Sequence, residues 1–389
     1  MCPERKQGNR TFKKILIVAG EASGDLHGSN LVKAMLSRDS SLKFYGIGGN
    51  KLREAGVDII ADVSEMAVVG LTEVLSKLAF ILKVRHKLKK SIQEEHPDLL
   101  ILIDYPDFNI SLAKVAKKSN VKVFYYVSPQ VWAWRKGRID DLARCVDRMA
   151  VILPFEKEVY DRVPLDVSFV GHPLLDTVLK TRSRGDILGE LGLEENRKTV
   201  AILPGSREKE VTRLLPEMLG AAEILKEKMP SIQFILPLAD TLPIEMIRAI
   251  AQNYSVDITI VRNTDTYNAV GESDMAIVAS GTATLEVALL EIPMIIVYKV
   301  SPFTYCVGRI FIDVKHIGLV NIIAGKSVAP ELIQGDAAAG AIAEETEKIL
   351  SDRAVANRIK EDLRELRQRL GNPGAAERTA GLAYELLQG

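Results

Sequence analysis

Apolar and polar positions alternate along the chain in blocks that predict strands and helices in turn. Short runs that are apolar throughout are typical of buried parallel strands, and the stretches between them are long enough for helical crossovers. The predicted strands are 15–19, 43–47, 99–103, 121–127, 148–153, 167–170, 200–203, 233–237, 258–261, 275–278 and 294–298. This alternation predicts an α/β fold with parallel sheets.

A polar stretch over residues 171–198 divides the alternation into two halves, and we place the change of domain there. The chain has helical spacing again from about residue 338. It then breaks at Gly-Asn-Pro-Gly, residues 371–374, before one more predicted helix.

Composition narrows the class of protein. The 389 residues are 47% hydrophobic and 26% charged with zero formal net charge, which is ordinary for a folded protein and gives no argument for nucleic acid binding. Cys2, Cys145 and Cys306 lack metal-binding spacing and are interpreted as reduced cytosolic thiols. The polar N-terminus predicts no signal peptide. The apolar stretch 283–300 carries two glutamates and a proline, which favours helix, turn and strand over a membrane span.

The same strand–loop–helix unit occurs near the start of each half, at residues 15–28 and 200–207. In each, an apolar run stops in a Gly/Ser loop whose backbone N–H groups and helix dipole suit an anion. Two such units suggest two doubly wound halves that face each other across a cleft, which is typical of a nucleotide-dependent enzyme. The first loop lacks GxGxxG, so a plain dinucleotide fingerprint is excluded.

The first loop carries polar side chains where ligands bind in open α/β sheets, at the carboxyl end of a strand. These are Glu21, Ser23, Asp25 and His27. The alternative is that the loop is only a tight turn between strand and helix.

The strand 99–103 ends in Asp104, and Asp107 and Asn109 follow it. Partial desolvation at a strand end raises the pKa of a carboxyl and makes it a better general base. The alternative is that one of these residues caps the next helix. We expect Asp107 or Asn109 to be the cap and Asp104 to be the base.

Both tryptophans, Trp132 and Trp134, follow another predicted strand, 121–127. Two indoles beside a proline are as compatible with plain packing as with the wall of a substrate site.

The second half offers two loops for a nucleotide. Gly205, Ser206 and Arg207 open one helix, where Gly205 permits close approach and an arginine can grip a diphosphate. Ser280, Gly281 and Thr282 open another, where Ser280 or Thr282 could instead be a helix cap. Glu286, one turn further on, suits two ribose hydroxyls, because an ionised carboxylate only accepts hydrogen bonds.

The segment 65–90 combines an apolar stripe with a local positive charge. Six basic and two acidic residues give it a net charge of +4. The pattern fits a basic amphipathic helix on an anionic membrane surface, or a core helix with a solvated basic end. No His/Cys/Asp cluster with metal spacing, GxSxG or Walker loop is present in the sequence.

At this point several runs resemble one known family. They are GEASGDLHG, IDYPDFN, YVSPQVWAWRKGR, ILPFEKEVY, FVGHPLLD, LPGSREKEV and SGTATLE, in this order and over almost the whole chain. Together they resemble lipid A disaccharide synthase, a GT-B glycosyltransferase family. The resemblance implies an acceptor and lipid domain over 1–172 and a UDP-sugar domain over 173–365, both Rossmann-like. It also implies a C-terminal helix, about 366–389, that packs back on the first domain.

The resemblance further implies the reaction. UDP-2,3-diacylglucosamine would be the donor and 2,3-diacylglucosamine 1-phosphate the acceptor. The products of an inverting, metal-independent transfer without a cofactor would be a β-1,6-linked disaccharide and UDP. Asp104 matches the family's catalytic aspartate, Glu286 would hold the ribose, and Asn321 and Gln334 fall where the family places donor contacts.

The family also has an apolar, basic patch that would draw the enzyme to its lipid substrates. In this chain the matching apolar residues are Met66, Val68, Val69, Leu71, Leu75 and Leu78. The expected location is therefore cytoplasmic, peripheral on the inner face of the inner membrane. A homodimer is left open.

Two rival functions share parts of this pattern. Another GT-B enzyme, such as a UDP-N-acetylglucosamine 2-epimerase or a different UDP-sugar transferase, would share residues 204–286 but would not explain the apolar basic helix or the tryptophan loop. A non-enzymatic sensor of nucleotide sugars would bind UDP without turnover.

Overall fold

The chain folds into two compact units. The computed structural model describes residues 12–66, 74–132, 137–262, 265–301, 305 and 315–389. The N-terminal unit comprises Met1–Pro173 together with Asn372–Gly389, and the C-terminal unit is Leu174–Gly371. The sequence-based boundary lies one residue earlier, at 172/173, and its start for the last helix, about 366, lies inside the preceding helix Arg353–Arg369.

Seven of the described strands form one parallel sheet in the N-terminal unit, in the order β3-β2-β1-β4-β5-β6-β7. The strands are β1 (Lys14–Ala19), β2 (Lys43–Gly48), β3 (Asp58–Asp62), β4 (Leu99–Ile103), β5 (Lys122–Tyr126), β6 (Arg148–Val151) and β7 (Asp166–Phe169). The central strands are apolar apart from the lysines that begin β1 and β5, because both faces of the sheet are covered, and β4 is fully buried along its length. The predicted alternation is therefore confirmed here, except that β3 was not predicted.

Helices follow the strands of this sheet. They are α1 (Ala22–Arg38), α2 (Asn50–Glu54), α3 (Val63–Met66), α4 (Val74–Glu95), α5 (Pro106–Lys118), α6 (Arg138–Cys145) and α7 (Glu156–Val159). The C-terminal helix (Ala375–Gln388) packs against α1, β5 and β6. Lys13 and Lys122 donate from Nζ to the carbonyls of Leu387 and Leu386, at 2.8 and 3.0 Å. Cations at the negative end of a helix dipole hold that helix in place.

The C-terminal unit contains a second parallel sheet, in which six described strands have the order β10-β9-β8-β11-β12-β13. They are β8 (Thr199–Leu203), β9 (Gln233–Pro237), β10 (Ile258–Val261), β11 (Met275–Ala279), β12 (Met294–Tyr298) and β13 (Glu331–Ile333). The helices are α8 (Leu174–Thr177), α9 (Arg184–Glu190), α10 (Glu208–Lys228), α11 (Ile244–Ala251), α12 (Thr266–Gly271), α13 (Thr282–Leu289), α14 (Leu319–Ala324), α15 (Ala339–Ser351) and α16 (Arg353–Arg369). The expected α/β class with two parallel sheets is confirmed.

The strand order reverses direction at one point in each sheet. In the N-terminal unit the reversal lies between β1 and β4, where Ala19 pairs with Ile103. In the C-terminal unit it lies between β8 and β11, where Leu203 pairs with Val278. The helices after the two strands leave on opposite faces at such a switch point, which opens a crevice where ligands bind. Both Gly/Ser loops singled out in the sequence, after β1 and after β8, lie at these points.

Helix α4 has one buried face and one charged face. Val84, Leu88 and Ile92, spaced by four residues, are buried, whereas Lys83 and Lys87 are exposed. Among the described helices, none is both long enough and apolar enough for a membrane crossing. Of the residues predicted to touch a membrane, Val68, Val69 and Leu71 lie outside the described residues, Met66 lies in α3, and Leu75 and Leu78 lie in α4.

Candidate active site

The loops after β1 and β4 are in contact at the switch point of the N-terminal sheet. Gly20 leaves no room for a side chain, because a Cβ atom there would overlap the ring of Tyr105. Glu21 follows Gly20, is exposed, and begins α1 as its N-cap residue without a side-chain capping bond. These contacts bring the Glu21 carboxylate close to Asp104, the residue that follows β4.

Asp104 is a carboxylic acid in an unusual environment. Burial and, to a lesser extent, the nearby Glu21 carboxylate raise its pKa to about 6, against the opposing effect of a hydrogen bond from the Tyr105 backbone. Desolvation and a like charge both disfavour the ionised form. The pKa therefore lies close to neutrality, where a carboxylate is both ionised and basic enough to accept a proton.

The expected helix cap differs in the structure. The N-cap residue of α5 is Tyr105, which makes no side-chain capping bond. Asp107 forms an ion pair with Arg138, and Asn109 is fully buried with its amide turned towards the end of β4. Neither predicted residue is therefore the cap. Both lie inside α5, where Asp107 pairs with Arg138 and Asn109 Nδ2 donates to the carbonyl groups of Ile103 and Asp104.

Two histidines, the half-buried His27 and the buried His172, lie at the same edge of this sheet. Burial lowers the pKa of His27 to about 4, and burial together with His27 lowers the pKa of His172 to about 3. Both are therefore neutral at neutral pH. The His27 ring stands edge-on to Tyr126, with the ring centroids 6.4 Å apart, and its Nδ1 has no hydrogen-bond partner among the described residues.

Asp25 has a different task from the one expected of it. Its buried carboxylate accepts hydrogen bonds from the backbone N–H groups of Gly49, Lys51 and Leu52, at 2.6, 3.0 and 3.1 Å. These are the first N–H groups of α2, which a carboxylate satisfies well. Asp25 therefore serves the start of α2 and is not a substrate contact. Ser23, two residues earlier, is exposed and stays a predicted substrate contact.

Trp132 packs edge-to-face on Phe155, with the ring centroids 5.1 Å apart. Beside it, Glu156 is buried and accepts bonds from the N–H groups of Ile152 and Leu153, at 3.3 and 3.0 Å. Burial raises the pKa of Glu156 to about 7. An open groove of about 340 Å³ runs past the indole, lined by Val131, Trp132, Ile139, Glu158, Val159 and Arg162. Trp134 lies outside the described residues.

The loop after β8 in the C-terminal unit exposes Ser206 and Arg207. Gly205 has φ 113°, a conformation that side chains disfavour. Arg207 is the N-cap residue of α10, and its guanidinium, 74% exposed, lies 3.4 Å from Glu210. The result is a cation, an exposed hydroxyl and the positive end of a 21-residue helix at one strand end.

The loop after β11 lies beside it, because β8 and β11 are paired. Gly281 and Thr282 are exposed at the start of α13, and the Ser280 hydroxyl donates to the carbonyl of Ile317 at 3.3 Å. Burial raises the pKa of Glu286, and a hydrogen bond with Tyr267 partly opposes this rise. Tyr267 was not predicted from the sequence.

Asn321 and Gln334 bind the protein's own backbone. The Asn321 amide donates to Ala329 and Glu331 and accepts from the N–H groups of Val328 and Ala329, so all four hydrogen-bonding positions are filled and the residue is fully buried. We therefore remove Asn321 from the set of donor contacts. Gln334 bonds both the N–H and the carbonyl of Val300, at 2.7 and 3.1 Å, which fixes its amide at the end of β13.

No candidate metal site is found in the part of the chain that the structure describes. Within those ranges, no group of three His, Cys, Asp or Glu side chains is arranged to hold a metal ion.

Comparisons with known proteins agree on one family. A family model described as lipid-A-disaccharide synthetase matches residues 15–385. The lipid-A-disaccharide synthase of Syntrophus aciditrophicus is 57% identical over 377 residues, which cover 97% of this chain and 98% of that protein. The protein of the same name from Geobacter sulfurreducens is 49% identical over 377 residues, with the same coverage.

Solved structures show the same two-sheet fold at low sequence identity. The calicheamicin glycosyltransferase CalG4 matches with a TM-score of 0.62 and 12% identity, over 97% of this chain and 99% of that chain. The UDP-GlcNAc 2-epimerase of Neisseria meningitidis matches with a TM-score of 0.61 and 11% identity, over 96% and 99%. MurG of Acinetobacter baumannii matches with a TM-score of 0.59 and 13% identity, over 96% and 99%.

Proposed function

The chain belongs to the lipid-A-disaccharide synthetase family, and from this premise we propose that it transfers a diacylglucosamine unit from UDP-2,3-diacylglucosamine to 2,3-diacylglucosamine 1-phosphate. It is a glycosyltransferase of lipid A biosynthesis with the GT-B fold. In the proposed reaction the 6-hydroxyl of the acceptor attacks the anomeric carbon, the bond to UDP breaks, and the products are a β-1,6-linked disaccharide and UDP.

The observation that carries the mechanism is the placement of Asp104. Its carboxyl lies at the switch point beside Glu21 with its pKa raised to about 6 by burial and by that neighbour. We assign Asp104 as the general base that takes the proton of the attacking hydroxyl. A positioned base of this kind contributes a factor of about 10²–10⁴ to the rate.

The C-terminal unit supplies the groups for the donor. As UDP leaves, negative charge develops on its diphosphate, and preorganised donors stabilise such charge strongly. We assign this task to Arg207 and to the backbone and hydroxyl of Ser206, with Gly205 letting the diphosphate come close to the backbone. The loop Ser280–Thr282 is assigned to the same task. We propose that these groups act without a metal ion or another cofactor.

Glu286 is assigned to the ribose. Its bond with Tyr267 orients the carboxyl and leaves acceptor capacity for hydroxyl groups. Gln334 remains a predicted donor contact. Its amide is held at the end of β13, and β12 separates that strand from β11, which leads to α13 and Glu286. We therefore expect its contact with the donor to be less direct than that of Glu286.

The N-terminal unit supplies the groups for the acceptor. Glu21, Ser23 and His27 lie after β1, and Trp132 with its groove lies after β5. The groove has apolar walls at Val131, Ile139 and Val159, which suit acyl chains. Arg162, the one cation among the described residues that line it, would have to bind the phosphate in the presence of the acid Glu158. Trp134 remains a predicted member of this set.

We propose that the chain works at the surface of the inner membrane, on its cytoplasmic face. The apolar residues predicted to touch lipid precede the basic exposed face of α4 along the chain, and α4 is anchored by Val84, Leu88 and Ile92. Cationic side chains near an anionic surface add about 1 kcal/mol each to membrane binding. Acyl substrates that reside in the bilayer make such an attachment useful.

The activity should fall in acid because of Asp104. A base must be ionised, so kcat/KM is expected to decline as the pH drops below about 6, the value to which burial and Glu21 raise the pKa of this carboxyl. The measurement is kcat/KM across acidic and neutral pH. Glu156→Gln removes another buried acid with a raised pKa at this sheet edge and should keep this decline at acid pH, the acid limb of the profile. Loss of the acid limb in that variant would assign it to Glu156 instead.

Gly20→Ala should reduce activity more than stability. The new methyl group overlaps the Tyr105 ring, which must move and carry its neighbour Asp104 with it. A displacement of about 1 Å in a reacting group can cost about 10²-fold in rate, and we expect a loss of kcat of that order. Gly340→Ala, in α15 with no atom near the new methyl group, is the matched control. Equal activity of the two variants would contradict the contact between the loops.

Product identity tests the proposed function. The chain is incubated with both lipid substrates in detergent and EDTA, and the product is analysed by mass spectrometry and NMR. A β-1,6-linked disaccharide formed at the same rate with and without EDTA is expected. An α-linked product would overturn the inverting mechanism, and a rate that returns only with added Mg²⁺ would overturn metal independence.

A further inference from the structure

We propose that Asn109 and Tyr125 are positioning residues that lock the backbone of Asp104 and so aim its carboxyl at the acceptor hydroxyl. The proposal rests on the function proposed above for Asp104. Neither side chain touches the reacting atoms in this account, because both bind the Asp104 carbonyl on the inner side of the loop.

The backbone at this point is strained. Asp104 and Tyr105 have φ values of 46° and 48°, so two successive residues that are not glycine adopt the left-handed region. An aspartate tolerates that region better than a tyrosine does, and two in succession are unusual. Conformations of this kind persist only where surrounding contacts determine them, and they cluster at functional sites.

Two short hydrogen bonds hold the strained turn. The Asp104 carbonyl accepts from Asn109 Nδ2 at 2.7 Å and from the Tyr125 hydroxyl at 2.6 Å. Asn109 Nδ2 also donates to the carbonyl of Ile103 at 3.2 Å, and the Asp104 N–H donates to the carbonyl of Tyr126 at 3.2 Å. The peptide that follows Asp104 is therefore fixed from two sides, by α5 and by β5.

Both holding side chains are fully buried. The side-chain oxygen of Asn109 has no hydrogen-bond partner among the described residues, although buried polar atoms are rarely left unpaired. The position of this amide thus gives its nitrogen two hydrogen bonds to the carbonyls of Ile103 and Asp104 and leaves its oxygen without one. The hydroxyl of Tyr125 has the Asp104 carbonyl as its hydrogen-bond acceptor.

The geometry links this lock to the chemistry. Because α5 and β5 hold the Asp104 carbonyl, they fix the backbone that carries a carboxyl close enough to Glu21 for that neighbour to raise its pKa. The ionisable groups that interact electrostatically with the Asp104 carboxyl are Glu21 after β1, Tyr125 on β5 and Glu156 after β6. Release of the carbonyl would let the turn relax and the carboxyl reach water.

Tyr125→Phe tests the lock with the smallest change of shape. We expect kcat to fall about tenfold with the KM for the donor within twofold, and the acid limb of kcat/KM to move below pH 6, because a relaxed Asp104 is better solvated. Asn109→Leu, which has a similar volume and no donor, should act in the same direction if Tyr125→Phe is too unstable to assay.

Tyr160→Phe is the matched control. Tyr160 is also buried, but its hydroxyl bonds the Ser128 hydroxyl at 2.7 Å rather than the Asp104 carbonyl. It should lose thermal stability without a change in the acid limb. An unmoved limb in Tyr125→Phe and in Asn109→Leu, with only the stability loss seen in Tyr160→Phe, would overturn the lock. Failure of the base assignment is distinguishable, because Asp104→Asn would then remain active.

Discussion

Replacing Asp104 with asparagine is expected to lower kcat by about 10²–10⁴-fold, the usual contribution of a general base. The amide has nearly the shape of the carboxyl but cannot take a proton from the acceptor hydroxyl. UDP affinity should not change, because the donor groups we assign, including Arg207 and Glu286, belong to the C-terminal unit.

The same substitution should make the protein more stable at neutral pH. Burial and Glu21 raise the pKa of Asp104 to about 6, so the folded protein holds its proton more tightly than the unfolded chain does. Stability therefore falls as the pH rises from about 4 to about 6, and at pH 7 the buried carboxylate costs on the order of 1–3 kcal/mol. Asn carries no such cost, so an inactive variant with a raised Tm would exclude unfolding as the cause.

Turnover, UDP binding and thermal unfolding of Asp104→Asn, measured side by side, check this prediction. Glu156→Gln is the matched control, because Glu156 is a second buried acid with a raised pKa at the same sheet edge. It should also gain stability at neutral pH but retain turnover. An Asp104→Asn protein that turns over at the rate of the parent would contradict the assignment of the base.

Replacing Arg207 with alanine is expected to lower kcat/KM by about 10²–10³-fold, the usual cost of losing one preorganised group that stabilises developing charge. In the metal-independent reaction that we propose, this guanidinium is the cation assigned to the leaving diphosphate. Its 74% exposure and its surface ion pair with Glu210 mean that folding depends little on it. The loss should therefore appear without a change in Tm.

Arg213→Ala provides the control for Arg207. Arg213 is an exposed arginine further along the same helix, α10, and its removal changes the net charge equally. Steady-state kinetics with varied donor separate the two variants. Similar kcat/KM values for Arg207→Ala and Arg213→Ala would show that the effect is general charge rather than contact with the diphosphate.

The sequence predicted the central strands to within two residues, because a strand buried on both faces must be apolar throughout. Two of the edge strands, β3 and β13, were not predicted, whereas the edge strands β7 and β10 were. β3 begins and ends in aspartate, and β13 has three residues that are all only partly buried. The position of Asp104 was predictable for the same reason as β4, since a polar residue after an apolar run lies at a strand end.

The local structure around Asp104 was not predictable. Left-handed backbone is usually signalled by glycine, whereas here it falls on Asp104 and Tyr105 and depends on Asn109 and Tyr125, which come from two other elements. The sequence offers only a weak signal for such partners, namely a Tyr within or an Asn shortly after a predicted strand that is apolar enough to be buried.

The fate of Asp25 and Asn321 illustrates a second limit. A carboxylate or amide beside a glycine loop has the same appearance in sequence whether it binds a ligand or caps a helix. Which task it has depends on the backbone that tertiary folding brings near it, here the start of α2 for Asp25 and the turn at 328–329 for Asn321. Glu156 was not singled out from the sequence, because the run ILPFEKEVY was used only as one of the runs that carry the family resemblance.

UDP release from UDP-2,3-diacylglucosamine, measured in detergent and EDTA with and without 2,3-diacylglucosamine 1-phosphate, tests the central claim most directly. Transfer requires the acceptor hydroxyl as nucleophile, so we predict that release depends on the acceptor and proceeds in EDTA. UDP release at the same rate without the acceptor, or no release from a protein that still binds UDP, would contradict the claim.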